Sequence, residues 1–514
     1  MTTIVSSRFA LADLATSAID GLATLAANRR AYMAAVLAAA SIFWLAPRLP
    51  MTDLPQHVAQ IALWHDLLME QSPWADLFQI NILTPYLTVY SLALALSFAV
   101  SATTAFKILL TAGFIAYVIS CRQLRRDFGA DERLDWVFIP SYFGVAYEWG
   151  FATFLISTPL CLQFIRLARM NAHSVSWQRD VGLVLLGLTL LVSHGLLFLF
   201  AGIIGGAMVL DASPTIRDFV RRAAPYALLA VLCALFLWAT RQNEAPAPIS
   251  EFEWPGPLDR IKLLAIQLQS ASTKTFLPLS MVLVGAMVLM RPNFSRQAAI
   301  PMGVVMLVYF LVPHTGYGTA ILYQRFAMFI LPFCALACRR SDNCPPQQAR
   351  LCHIALMCGC LGIIAVHAHR TIAFAKESND FETILAAAEP GRRAASMVVN
   401  YQSAATGIVS AHLHQASWYQ VEKQGLVEFN FAYFHPMVVR YNFARIPYTG
   451  FGFYPHMIKF DWSSPQARIF DYFFVRHDQS GPPEELTANP ACALKLVKSA
   501  GLWSLYERGA CTPD

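Results

Sequence analysis

Asp53 stands in the run Arg48-Leu-Pro-Met-Thr-Asp53-Leu-Pro55-Gln-His57, a few residues beyond a continuous apolar block. A carboxylate fixed at such a boundary can take a proton from an attacking hydroxyl, or help to hold a divalent cation. The spacing also suits a plainer role. Asp two residues ahead of Pro is a common helix opening, so Asp53 would then cap the helix that Pro55 starts. Glu148 is the only acid between the apolar blocks 135–147 and 151–168, in the tight link Tyr147-Glu148-Trp149-Gly150-Phe151. A lone carboxylate among aromatics is costly unless it is paired, used in chemistry or wetted. Arg325 follows Tyr323 where a polar connection enters the next apolar block. A guanidinium fork suits phosphate oxygens, and an arginine with a neighbouring tyrosine equally suits a simple anchor at an apolar boundary.

Other reactive residue types carry weaker signals. His194, inside Leu-Leu-Val-Ser-His194-Gly-Leu-Leu-Phe, reads as a packed histidine. His412, His414, His435 and His456 have no ligand spacing beyond His412-x-His414 and read as structural. Nine of the eleven cysteines fall in or beside apolar blocks, where cysteine acts as a small apolar residue. Those near 334–360 superficially have zinc-like spacing but no hydrophilic scaffold around them, so no metal site is expected there. Cys492 and Cys511 flank a terminal hairpin pattern and could pair in an oxidising compartment. There is no Walker motif, no Gly-rich phosphate loop after a strand and no nucleophile elbow, which argues against a nucleotide-driven pump.

The elements that must position these residues follow from composition. The 514 residues are 56% hydrophobic and only 14% charged, against roughly 25% charged in a soluble protein. Aromatics at 12% exclude disorder and coiled coil. The apolar material lies in blocks near the length that crosses a bilayer as helix, beginning at Ala31 and ending near 367. Several blocks of 13–15 residues are short for a crossing and imply tilted or broken helices. The block 85–101 fits the outer interface better than a crossing. With that choice, eighteen arginines fall on the inner side and seven Lys or Arg residues on the outer side before residue 370. This bias orients the chain with its N-terminus inside, its C-terminus outside and about eleven transmembrane helices. The net charge of +6 therefore reports topology, and no nucleic acid partner is implied.

The expected layout is an inner segment 1–30, a transmembrane all-α domain 31–369 with a first outer loop 48–103, and an outer α/β domain 370–514. The last carries strand-like runs at Ser396–Asn400, Tyr472–Arg476 and Leu494–Lys498, the third leading into a hairpin with Leu502–Tyr506.

An acid just after the first span, an interfacial stretch, a second acid in the next outer link, a late arginine and an outer α/β tail together resemble the GT-C superfamily. These are polytopic glycosyltransferases that use lipid-linked phosphosugars, and they include protein mannosyltransferases and lipid A aminoarabinose transferases. Asp53-Leu-Pro55-Gln-His57 is similar to the Asp-x-Pro-x-His opening of uncharacterised bacterial members. Tyr147–Phe154, Gln324–Phe329 and Gly425–Arg440 are similar to stretches of such proteins. Asp53 lacks the second adjacent acid of many members.

The resemblance implies an inner-membrane enzyme with its C-terminal domain in the periplasm. Its partners would be a polyprenyl-phosphate-sugar donor, membrane lipid and a glycan, lipid or protein acceptor. Asp53 would be the general base, His57 would orient it, Glu148 would be a second acid, and Arg325 with Tyr323 would contact the donor phosphate. Asp53 and Glu148 would hold a magnesium or manganese ion in a metal-dependent version; no other cofactor is implied. Two further readings compete. A transporter of lipid-linked saccharide predicts acids in mid-span and internal symmetry, and neither is visible. A non-catalytic scaffold of an envelope polysaccharide assembly would look much the same.

Overall fold

The computed structural model describes residues 17–240, 251–271, 273–316, 319–408, 410–446, 460–463, 467–478, 481–488 and 490–512. His456 and residues 1–16 of the predicted inner segment lie outside them. The protein is mostly helical, at 62%, with a small sheet region near its C-terminus. Among the described residues, four helices are long and apolar enough to cross a membrane, at Ala102–Phe128, Gly195–Ala212, Ile216–Thr240 and Pro346–Ala387.

Local signals account for their limits. Ser101 opens the Ala102–Phe128 helix by accepting from the Thr104 NH, and Gly129 closes it in the left-handed region. Arg125 and Arg126 in the last turn suit the negative end of the helix dipole. At about 1.5 Å per residue, this 27-residue helix and the 32-residue Pro346–Glu377 helix are about 40 and 48 Å long. Arg29–Ser41 runs alongside them, and the Lys107 ammonium donates to the Ala46 carbonyl just beyond its end.

Two predicted apolar blocks form broken pieces instead of continuous helices. Residues 132–148 fold as short turns, Glu132–Val137, Pro140–Phe143 and Val145–Glu148, parted near Pro140 and Gly144. Residues 324–337 form a 3-10 turn, Gln324–Phe329, followed by the short helix Ile330–Ala337. Both segments are almost wholly buried, so they form the bundle's interior and carry Glu148 and Arg325 there.

The Pro346–Glu377 helix continues past residue 370 and is followed by Asn379–Ala387. A five-stranded sheet then runs in the order Leu426–Val427, Arg393–Val398, Tyr472–Arg476, Trp503–Cys511 and Cys492–Ala500. The first three strands are parallel, and the last two add an antiparallel hairpin edge. A disulfide joins Cys492 to Cys511, which face each other across that hairpin. A separate short pair, Phe78–Ile80 with Val439–Tyr441, stitches the C-terminal region back onto the segment after the first bundle helices.

Candidate active site

The Leu54–Leu68 helix is the platform of the site. Asp53 occupies its N-cap position, yet its side chain makes no capping hydrogen bond. The carboxylate instead lies 3.3 Å from Nε2 of His414, with both side chains largely buried. His414 lies flat against Phe429, at 5.3 Å and 14°, and its Nδ1 has no partner among the described residues.

The polar face of the same helix is bonded to the stretch that supplies those aromatics. Gln56 donates to the Phe429 carbonyl and accepts the Phe431 NH, and Gln60 accepts the Val439 NH. Both oxygens and the Gln56 NH2 are thus matched by main chain, which fixes the helix against residues 429–439, while the Gln60 NH2 is buried with no partner among the described residues.

The link around Glu148 is seated on the start of this helix. The Thr52 NH donates to the Glu148 carbonyl at 3.1 Å, and the Asp53 NH to the Trp149 carbonyl at 2.9 Å. Gly150 makes the fit possible. Its φ is +75°, and a Cβ there would stand 2.9 Å from the backbone nitrogens of both Asp53 and Leu54.

The Glu148 carboxylate has its own partners. It accepts from the Ser270 hydroxyl at 2.8 Å and the Ala271 NH at 2.6 Å, with the Arg370 guanidinium at 3.5 Å. Complete burial pushes its carboxyl up to about 7, with the two hydrogen-bond donors and the Arg370 charge pulling the other way.

Arg325 reaches the same neighbourhood from the third segment. Its guanidinium lies over the Phe151 ring at 4.1 Å, one residue from Gly150. Nε donates to the Ile321 carbonyl and Nη2 to the Ala320 carbonyl. Burial lowers the guanidinium to about 10, against the attraction of Tyr86 and Asp53, so it stays charged at neutral pH. Asp53, Glu148 and Arg325 therefore gather around the Trp149-Gly150-Phe151 turn, each by a different contact. Their backbones and rings meet there, while the Glu148 carboxylate is held by residues 270–271 and Arg370.

Two other predicted site residues point elsewhere. His57 sits one turn after Asp53, with Nδ1 at 2.6 Å from the Tyr90 hydroxyl. Burial takes its imidazole down to about 4, with Asp53 opposing that shift and His414 adding to it. It packs edge-on to Phe431 and is neutral at ordinary pH. The Tyr323 ring faces Arg260, at 4.2 Å, and Tyr309, at 5.0 Å. Its hydroxyl has no partner among the described residues.

His414 and Arg370 were the residues that sequence reasoning missed. The visible signal was His412-x-His414. The two rings part company, His412 going to Glu377 at 3.1 Å and His414 to Asp53. Nothing local announced which carboxylate each would meet, since Asp53 lies over three hundred residues upstream. Glu377 also accepts from Ser403 and Arg476, and it anchors the long helix to the sheet region. His194 is buried between Tyr86 and Phe154, and His435 donates from Nε2 to the Thr240 carbonyl at 2.9 Å.

Among the described residues, no group of three or more His, Cys, Asp or Glu side chains is placed to hold a metal ion. Glu148 also suits that role poorly, because both its oxygens already face donors and a cation. No protein-family model matches the chain, and no curated protein matches it.

Proposed function

We propose that the chain is a multi-pass membrane glycosyltransferase of the GT-C kind, acting on a polyprenyl-phosphate-linked sugar at the outer face of a bacterial inner membrane. The observation that carries this reading is the closeness of Asp53 to His414 at a helix start on which the Glu148 link is seated, with the Arg325 guanidinium over Phe151 of that link. A carboxylate released from capping, oriented by a histidine and placed near a buried cation is equipped to move a proton beside a leaving anion. The Ile216–Thr240 helix supports the membrane setting. Only 17% of its most apolar window is buried, and Leu228, Val231, Leu235 and Trp238 are exposed, as a lipid-facing helix requires.

In the proposed reaction, the acceptor hydroxyl gives its proton to Asp53. Its oxygen bonds to the anomeric carbon as the bond from that carbon to the phosphate oxygen breaks, inverting the centre. The electron pair leaves on the lipid phosphate, where Arg325 offsets the growing charge. His414 Nε2 stands 3.3 Å from one oxygen of Asp53, and the other is left for the acceptor. Glu148 keeps the turn at Gly150 in register through residues 270–271 and Arg370. No step requires a metal ion, in keeping with the partners that Glu148 already has.

The test uses full-length protein in nanodiscs with a panel of synthetic polyprenyl-phosphate hexoses and pentoses, reading released polyprenyl phosphate. The wild-type protein turns over at least one donor, and Asp53→Asn lowers kcat by about 10²–10⁴, the usual worth of a general base, with folding unchanged. Undiminished turnover by Asp53→Asn would end the assignment. Donor binding without turnover by the wild-type protein would favour the scaffold reading instead.

A further inference from the structure

At the end of the bundle opposite Asp53, three distant segments converge on a groove. One cavity of about 830 Å³ and an adjoining one of about 650 Å³ share Asn28, Arg133 and His353 as a common wall. The larger is within the range of small-molecule sites. The walls come from the start of the first described bundle helices, from the end of the Ala102–Phe128 helix with the turn after it, and from the segment that leads into the Pro346–Glu377 helix.

The charges in this groove do not cancel. Arg122 and Arg125 share the single carboxylate of Asp135, leaving one positive charge over. Arg133 is forked onto Asp131, so that pair is neutral. Arg29 and Arg126 line the smaller cavity and Arg340 the larger; all three are exposed and form no ion pair among the described residues. Glu132 and Asp342 are the remaining carboxylates on the walls, and the groove keeps a net positive charge.

Holding like charges together around a concavity costs free energy that a bound anion recovers. Guanidinium forks match phosphate oxygens in spacing and donor direction. We infer that this groove is a binding site for a phosphoryl anion, held chiefly by Arg29, Arg126 and Arg340. The site stands independently of the transferase reading, since it shares no residue with the Asp53 region. The phosphoryl group can belong to an anionic lipid headgroup or to a soluble diphosphate, and the two sources are separable by experiment.

Full-length protein in neutral detergent is titrated with inorganic pyrophosphate while thermal unfolding is followed. In parallel, its binding to phosphatidylcholine vesicles with and without phosphatidylglycerol is measured. A saturable rise in Tm identifies a soluble phosphate ligand, and selective binding to the phosphatidylglycerol vesicles identifies a headgroup. In either arm, Arg29→Ala/Arg340→Ala weakens the response at least about tenfold, the loss expected when charge-assisted contacts are removed. Both positions are exposed, so the double variant keeps its fold. Arg217→Ala/Arg221→Ala, exposed arginines outside the groove, serves as the control and leaves the response unchanged. The inference is overturned if neither probe binds saturably, or if the control variant loses as much as the groove variant.

Discussion

Glu148 illustrates how burial and partners compete at one residue. Its carboxyl is driven upward by loss of water, while Ser270, the Ala271 NH and Arg370 favour the ionised form, leaving it near 7. A carboxyl whose value is raised by folding binds its proton more tightly in the native state. The stability it contributes is complete below the unfolded value near 4.5 and is lost as pH rises through about 7. Glu148→Gln, which keeps the shape and removes the charge, should therefore flatten the fall in stability between those two values. The difference amounts to at most about 3 kcal/mol. Chemical denaturation of both proteins across that window checks it, and parallel curves would show that Glu148 ionises in the native state as readily as in water. His57 lies on the same helix as Asp53 but is withdrawn into an apolar pocket with Tyr90, so a histidine close in sequence serves packing while a distant one faces the carboxylate.

The short elements of the interior matter more to the site than the long helices do. The turn Trp149-Gly150-Phe151 fits against the start of the Leu54–Leu68 helix because Gly150 lacks a Cβ and accepts a positive φ. Gly150→Ala should lower stability by more than about 1–2 kcal/mol, the cost of the left-handed backbone alone, because contact with the Asp53 and Leu54 nitrogens adds to it. The same substitution should reduce donor turnover in protein that still folds, since Asp53 and Phe151 would part. A variant as stable and active as the parent would mean that the turn is not seated as described. At the far edge, Gly501 turns the terminal hairpin at φ +53° next to Asp380, which ties that hairpin to the helix following the bundle.

Over the whole molecule, the helical bundle and the sheet region are locked by a few polar ties. Arg48, just beyond the first bundle helices, bonds Glu382 and Glu422, both at 2.8 Å, and Glu377 collects His412, Ser403 and Arg476. The sheet's outer hairpin is additionally closed by Cys492–Cys511, which are 19 residues apart. A loop near that length is worth about 3 kcal/mol in chain entropy, so Cys492→Ser/Cys511→Ser should lower the Tm and speed proteolysis within 490–512. Donor turnover should change little, because Asp53 and Arg325 do not depend on that edge. Equal protease resistance with and without reductant would show that the cross-link contributes nothing.

Much of this protein was legible in its residues. Apolar runs of bilayer length and the strand-like run Tyr472–Arg476 act through near neighbours, so the long helices and the central strand follow from local chemistry. The cysteines flanking the hairpin pattern are a local signal of the same kind. Asp53, Glu148 and Arg325 could be singled out because charge is conspicuous amid apolar sequence. Which groups they meet was decided only by the tertiary fold. The Asp53 carboxylate could cap its own helix or receive a distant histidine, and chain order carries no information on that choice. Packing of residues 429–439 onto Gln56 and Gln60 brings His414 within reach, and the short interior turns bring Gly150 and Arg325 alongside. Those pairings arise from matching buried donors to acceptors across hundreds of residues, a balance that exists only once the chain is folded.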